Sequence, residues 1–330
     1  MNWLEMILMV GISLIAILGL VLIYCIISPM PTVWYLRKLF SGTEYTKLDS
    51  YEKLKEETTI YEDIDYESDF PHGKLDIIMP EQVTGKLPVI FWVHGGAYVA
   101  GDKKDITPYA ISLANRGFIV VNINYALAPK GRYPMPLRQI GEAYSYIKKH
   151  FAEYHIDMNR TYFAGDSAGA QMVSQFVNIQ TNPKYSQQVN LEPVVNENTI
   201  KGVLLFCGPF DLAKLTQIDS PMLSWIFDRV GWAYLGSRNW KSEERTKEAS
   251  IIDELTSNYP PTFITDGNKG SFEYHGKMLE KVLKDVGVYT ESVFYPQESQ
   301  ELGHEYQFNL GDKYGEETFK KVIEFLNKTR

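Results

Sequence analysis

Cysteine is almost absent from this 330-residue chain: only Cys25 and Cys207 occur, so neither a disulfide framework nor a cysteine-based metal site can be built from them. Positive charge is also scarce. The 33 Lys and Arg stand against 41 Asp and Glu, a formal net charge of -8. Nucleic-acid affinity is carried largely by clustered Lys and Arg, so this balance argues against a phosphate-binding surface and a nucleic-acid partner. Internal repeats and low-complexity stretches are missing, which excludes repeat architectures and long disordered tails. Charge itself is missing from one long stretch, because Met6 to Ile27 holds no Asp, Glu, Lys or Arg.

That stretch is rich in Ile, Leu, Val and Met, and roughly 20 such residues cross the hydrocarbon core of a bilayer as a helix. No Lys or Arg precedes it and no small-x-small cleavage site follows before Pro29, so residues 6–27 read as an uncleaved single-pass anchor rather than a signal peptide. A lipoprotein signal is disfavoured by the bulky Tyr24 before Cys25. Glu5 lies before the span and Arg37 and Lys38 after it, so the positive-inside bias leans toward a cytoplasmic domain beyond the anchor. The remainder, in a chain that is 45% hydrophobic and 22% charged, is ordinary globular material.

Residues 29–69 read as a linker or N-terminal cap helices ending in the acidic stretch Glu62, Asp63, Asp65, Glu67. From residue 70 onward, β-branched runs alternate with helix-like stretches. Strands are expected at Leu75 to Met79, Pro88 to Val93, Phe118 to Ile123, Thr161 to Ala164, Lys201 to Phe206, Thr262 to Thr265 and Ser292 to Tyr295. Helical spacing occurs at Pro108 to Asn115, Ile140 to His150, Ala168 to Val177 and Phe272 to Val286. Such alternation predicts an α/β fold with a mostly parallel sheet covered on both faces. A long interval at about 212–258 interrupts it, carrying Leu223, Trp225, Ile226, Val230, Trp232 and Leu235. It reads as an inserted cap over an apolar site.

The sharpest motif is Gly165-Asp166-Ser167-Ala168-Gly169, placed directly after a strand and before a helix. G-x-S-x-G in that context forms a tight turn that projects the serine hydroxyl, with glycines where side chains would clash. Ser167 is therefore the candidate nucleophile. Upstream, Val89 to Val93 runs into His94-Gly95-Gly96-Ala97-Tyr98. Adjacent glycines after a buried strand leave backbone N–H groups bare, as a tetrahedral oxyanion requires. Gly95, Gly96 and Ala168 are the expected oxyanion donors, and His94 is expected to support them rather than act as a base.

These motifs, with Tyr125-Ala126-Leu127-Ala128-Pro129, Tyr133-Pro134 and Gly303-His304-Glu305-Tyr306-Gln307-Phe308, resemble the hormone-sensitive-lipase-like branch of α/β-hydrolases, including arylacetamide-deacetylase-like membrane-anchored members. The resemblance covers about 70–330. It implies an α/β-hydrolase fold, with an eight-stranded, mostly parallel sheet, a helical cap, and carboxylester hydrolysis of a small-molecule ester without a cofactor or metal. An amidase or N-deacetylase would use the same apparatus.

His304 follows the last expected strand and precedes a terminal helix-like run, Gly315 to Asn327, which is where that fold delivers its base. His275 falls within a helical run and is expected at the surface. The acid departs from the family pattern, since the position three residues after the strand-ending glycine is Gly270. Asp266, Glu273 and Asp211 remain as substitutes, of which Asp266, at the strand end itself, is assigned. A Ser–His pair without a carboxylate, or a non-catalytic binding protein keeping the fold, is the other reading of Gly270.

Overall fold

The computed structural model describes residues 3–42, 45–218, 220–297 and 300–330. Eight strands form one sheet: β1 (Thr58–Asp65), β2 (Lys74–Pro80), β3 (Leu87–Val93), β4 (Ile119–Ile123), β5 (Ile156–Asp166), β6 (Ile200–Phe206), β7 (Thr262–Thr265) and β8 (Thr290–Val293). Their order is β1-β2-β4-β3-β5-β6-β7-β8. β2 is antiparallel to both neighbours, and every pair from β4 to β8 is parallel. This is the eight-stranded, mostly parallel α/β-hydrolase sheet that the resemblance implied.

The helices are α1 (Trp3–Ile27), α2 (Met30–Phe40), α3 (Tyr51–Glu56), α4 (Thr107–Ala114), α5 (Met135–His150), α6 (Ala168–Thr181), α7 (Pro183–Val189), α8 (Pro221–Leu235), α9 (Glu244–Glu248), α10 (Glu273–Asp285) and α11 (Lys313–Thr329). The central strands are buried on both sides, which is why they read as continuous apolar runs rather than alternating ones. Along β3, Val89, Phe91 and Val93 belong to the core layer that includes residues of α5, α6 and α10, while Ile90 and Trp92 belong to the layer that includes residues of α4 and α11. The period of two along each strand thus divides the core into two layers.

The expectation of a linker or cap helices over 29–69 did not include the strand that also lies there. Two helices and β1 lie there, and the sheet begins at Thr58. β1 is an edge strand of mixed exposure bearing Glu62, Asp63 and Asp65, so its charged face hid the strand pattern. Asp63 also pairs with Lys103, whose buried ammonium lies 2.7 Å from Asp63 and 2.8 Å from the buried Asp76. β8 begins at Thr290, two residues before the expected run.

α1 is long and apolar enough to cross a membrane, and none of its residues is buried against the protein. At 1.5 Å per residue its 25 residues reach about 37 Å, beyond the roughly 30 Å hydrocarbon core. α2 follows after Ser28 and Pro29 and is pinned to the globular body by Arg37, whose guanidinium donates to the carbonyls of Val99 (2.8 Å) and Ala128 (3.1 Å). The interval 212–258 contains α8 and α9, with α8 lying beside α2 above the carboxyl ends of the strands.

Candidate active site

Ser167 occupies the turn between β5 and α6 with φ 50° and ψ -119°, a conformation that L-residues adopt only when the surroundings enforce it. The enforcement is visible in both flanking glycines. A Cβ at Gly165 would lie 2.6 Å from the Gly169 carbonyl carbon, and one at Gly169 would lie 2.0 Å from the Val93 oxygen. Ser167 N–H donates to Phe206 O at 2.8 Å, which ties the turn to β6. The hydroxyl then projects toward His304, with Ser167 Oγ 3.0 Å from Nε2.

His304 sits in the loop between β8 and α11, partly exposed, with Phe272 edge-on to its ring at 5.8 Å. Burial lowers its pKa below the usual histidine value, while the Glu305 carboxylate opposes that shift. Glu305 Oε1 is 3.7 Å from Nε2, and its Oε2 accepts a 2.5 Å hydrogen bond from the Tyr45 hydroxyl. Sequence reasoning missed Glu305 and Tyr45. Glu305 adjoins the histidine in its motif, whereas nothing in the sequence marks Tyr45, which arrives from the N-terminal segment.

The other nitrogen, Nδ1, lies 2.6 Å from the hydroxyl oxygen of Ser271, and that hydroxyl in turn donates to Asp266 Oδ1. Asp266 is therefore brought into the site, but through Ser271 rather than by a bond to the imidazole. Burial holds the Asp266 carboxyl well above the usual carboxylate range, and the donated Ser271 hydroxyl and the Gly267 and Phe272 backbone only partly oppose it. The alternative acids lie elsewhere in their bonding. Glu273 pairs with Lys277 at 2.7 Å, and Asp211 pairs with Lys214 at 2.8 Å while accepting from Ala213 N–H. His275, expected at the surface, is buried. Its Nδ1 accepts from Asp211 N–H at 3.3 Å, and burial lowers its pKa to about 4.

One oxyanion assignment is corrected. Gly95 N–H donates to Asp166 Oδ2 at 2.7 Å, and Trp92 Nε1 donates to Asp166 Oδ1 at 2.8 Å. The Gly95 donor is thus spent on clamping the β3 loop to the serine turn, which also explains the aspartate inside the G-x-S-x-G motif. Gly96 and Ala97 follow with φ of 104° and 52°, and among the described residues their N–H groups have no hydrogen-bond partner. A Cβ at Gly96 would fall 2.2 Å from the Ala100 oxygen, so glycine is required there. Ala168 opens α6 and has no acceptor for its N–H within the helix. The free donors beside Ser167 are those of Gly96, Ala97 and Ala168.

His94 holds this loop from behind. Its ring stacks on Tyr125 at 4.5 Å, its Nδ1 lies 2.7 Å from Gly95 O, and burial lowers its pKa to about 4, keeping it neutral. Cys207, Asp266 and His304 bring ligand-type atoms within 4.8 Å of one another. Burial pushes the Cys207 thiol up, which leaves it protonated, and Ser271 already engages both other groups, so the set is poorly disposed for a metal.

Above Ser167 is a cavity of about 290 Å³. α2 contributes Tyr35, Leu36, Leu39 and Phe40, α8 contributes Met222, Leu223, Ile226 and Phe227, and Ser167, His304 and Glu305 form the polar floor. From the 212–258 interval, Leu223 and Ile226 line this cavity, while Val230 and Leu235 pack into the core.

Known proteins resemble this chain in both sequence and shape. The BD-FAE family model matches residues 75–272. Probable carboxylic ester hydrolase LipM of Mycobacterium tuberculosis is 27% identical over 250 residues, covering 71% of this chain and 56% of that protein. An esterase of Gibberella moniliformis is 31% identical over 217 residues, covering 62% of this chain and 64% of that protein. The chain thus spans less than two thirds of the length of either relative. Among solved structures, esterase B from Lactobacillus rhamnosis superposes with a TM-score of 0.74 at 18% identity, covering 91% of this chain and 96% of that one.

Proposed function

The chain belongs to the BD-FAE family, and from that membership we propose that it is a serine carboxylic ester hydrolase with Ser167 as nucleophile and His304 as general base. The observation that carries this reading is the 3.0 Å contact between Ser167 Oγ and His304 Nε2 at a turn of enforced geometry. Nε2 takes the hydroxyl proton as Oγ attacks the ester carbonyl. The new oxyanion faces the N–H groups of Gly96, Ala97 and Ala168, and such preorganised donors supply much of the stabilisation of a tetrahedral intermediate. The imidazolium, steadied by Glu305 on one side and by Ser271 and Asp266 on the other, then protonates the leaving alkoxide. Water repeats the sequence on the acyl-enzyme and frees the acid. These steps are carried by the chain's own residues.

Apolar cavity walls from α2 and α8 favour an ester with an apolar acyl or alcohol group. α1 supports a membrane location, because each Leu or Ile left in water forgoes roughly 1.5–3 kcal/mol and α1 buries none of its own against the protein. In this reading residues 1–28 are a single-pass anchor, 29–69 supply the N-terminal cap and first strand, and 70–330 form the catalytic domain with the cap insertion at about 212–258. Lys38 and Arg37 beyond the span lean that domain toward the cytoplasm. α2 leaves the anchor after two residues and lines the cavity, so an ester that partitions into the bilayer is the substrate class that best fits.

Hydrolysis of a p-nitrophenyl ester series by the full chain in detergent tests the proposal. Turnover is expected, declining for acyl chains too long for the cavity, and it should vanish in Ser167→Ala. Turnover that survives Ser167→Ala would refute the nucleophile assignment.

A further inference from the structure

We propose that Ser271 is a positioning residue that transmits the Asp266 carboxylate to His304, in place of an acid at Gly270. The inference rests on the Ser167–His304 reading and concerns what orients the base.

Hydrogen-bond inventory fixes the direction of the chain. A serine hydroxyl has one proton and two lone pairs. The Ser271 hydroxyl donates to Asp266 Oδ1, which leaves an oxygen lone pair 2.6 Å from His304 Nδ1. That lone pair requires Nδ1 to carry hydrogen, which leaves Nε2 bare toward Ser167 Oγ. The tautomer set by this chain is the one that can remove the Ser167 proton. In the transfer, that proton moves to Nε2 and later to the leaving alkoxide, while Ser271 keeps its own proton.

Among the described residues, the Ser271 hydroxyl has no other hydrogen-bond partner. α10 is capped by Phe272 with no side-chain cap bond, although Ser271 stands beside its start. Asp266 is almost wholly buried at the end of β7, so its side chain is held where Ser271 is the intermediary. At Gly270 the φ of 62° favours glycine, and a Cβ there would meet nothing within 4 Å. The position where the family pattern places its acid is left without a side chain, while the next residue and the strand-end aspartate together reach the same nitrogen.

The test uses the full chain with p-nitrophenyl butyrate, reading kcat, KM and the pH profile of Ser271→Ala, Ser271→Thr, Asp266→Asn and the Ser271→Ala/Asp266→Asn pair, with thermal unfolding as a check on folding. Loss of tautomer control in a serine triad costs up to about 10⁴-fold in turnover, and a relayed carboxylate should cost about 10²- to 10³-fold. Ser271→Ala and Asp266→Asn should each lower kcat by that factor with KM within about threefold. The pair should be no worse than the weaker single variant, because groups acting as one unit are not additive. Ser271→Thr retains the hydroxyl and should recover to within about tenfold of the wild type.

The charged and titratable groups facing His304 are Glu305 from its own loop, Asp266 through Ser271, and the Cys207 thiol. With Ser271 removed, the imidazolium loses its Nδ1 acceptor, so the acid limb of kcat should move to lower pH. Ser271→Ala with more than a third of wild-type kcat would overturn the inference. Multiplicative losses in the pair, or a loss that Thr does not rescue and that leaves the acid limb in place, would overturn it as well. Absence of turnover in wild type, or turnover surviving in Ser167→Ala, would instead bring down the serine-hydrolase reading and this inference with it.

Discussion

The carboxyl ends of β5 and β7 carry the two halves of the site, and the backbone dictates far more at the first than at the second. At β5, a Cβ on Gly169 would sit 2.0 Å from a carbonyl oxygen and Ser167 is held at a positive φ, so few residue types can stand there. At β7, a Cβ on Gly270 would meet open space, and the requirement is only that some oriented acceptor reach His304 Nδ1. A nucleophile must be placed against a fixed carbonyl and a fixed set of donors. An acid can be supplied from different positions, provided the imidazole sees the same hydrogen bond. The comparison teaches that geometry, rather than residue identity alone, determines which parts of a triad can move along the chain.

Substitutions at the two ends should differ accordingly. The largest effect is expected from Ser167→Ala and His304→Ala, each lowering kcat/KM by about 10⁴-fold or more because the covalent route is lost. Steady-state hydrolysis of p-nitrophenyl butyrate measures this. Equal residual activities well above that level would break the assignment of the β5 end.

The next pair compares the glycines directly. Gly169→Ala forces the Val93 strand end apart and should destabilise by about 3 kcal/mol, the upper range for overpacking a tight core, whereas Gly270→Ala incurs only the roughly 1–2 kcal/mol of a left-handed L-residue. Chemical denaturation of the two variants reads the difference. Similar losses would show that the β7 loop is as constrained as the serine turn.

A smaller effect is expected at Glu305. In the proposed mechanism neutral imidazole is the base, and burial lowers the His304 pKa while the Glu305 carboxylate raises it, so the acid limb of kcat/KM should lie below the ordinary histidine value of about 6.5. Removing the anion in Glu305→Gln deprives the imidazolium of a partner, and the limb should move to still lower pH. A limb that stays in place or rises would contradict the stated role of Glu305. Its hydrogen bond from Tyr45 gives a milder companion, since Tyr45→Phe keeps the carboxylate and should shift the limb little.

What was legible in the sequence follows the same division. The serine turn, the histidine loop and the buried strands announce themselves because steric demands leave a short local signature of glycines and apolar runs. β1 escaped notice because its outward face is acidic and its inward face only partly covered. Gly95 was misassigned by one residue along a loop where Gly95, Gly96 and Ala97 offer successive donors, and only the Asp166 carboxylate decides which is already engaged. Ser271 left no trace at all. A single hydroxyl has no spacing or hydropathy pattern, and its meaning comes from two partners 5 and 33 positions away in the chain.

Covalent labelling is the most direct test of Ser167 as nucleophile. The full chain would be treated with a fluorophosphonate and the adduct located by peptide mass spectrometry. The account predicts one adduct, on Ser167, absent in Ser167→Ala and formed far more slowly in His304→Ala. An adduct on another serine, or a folded chain that acquires none, would contradict it.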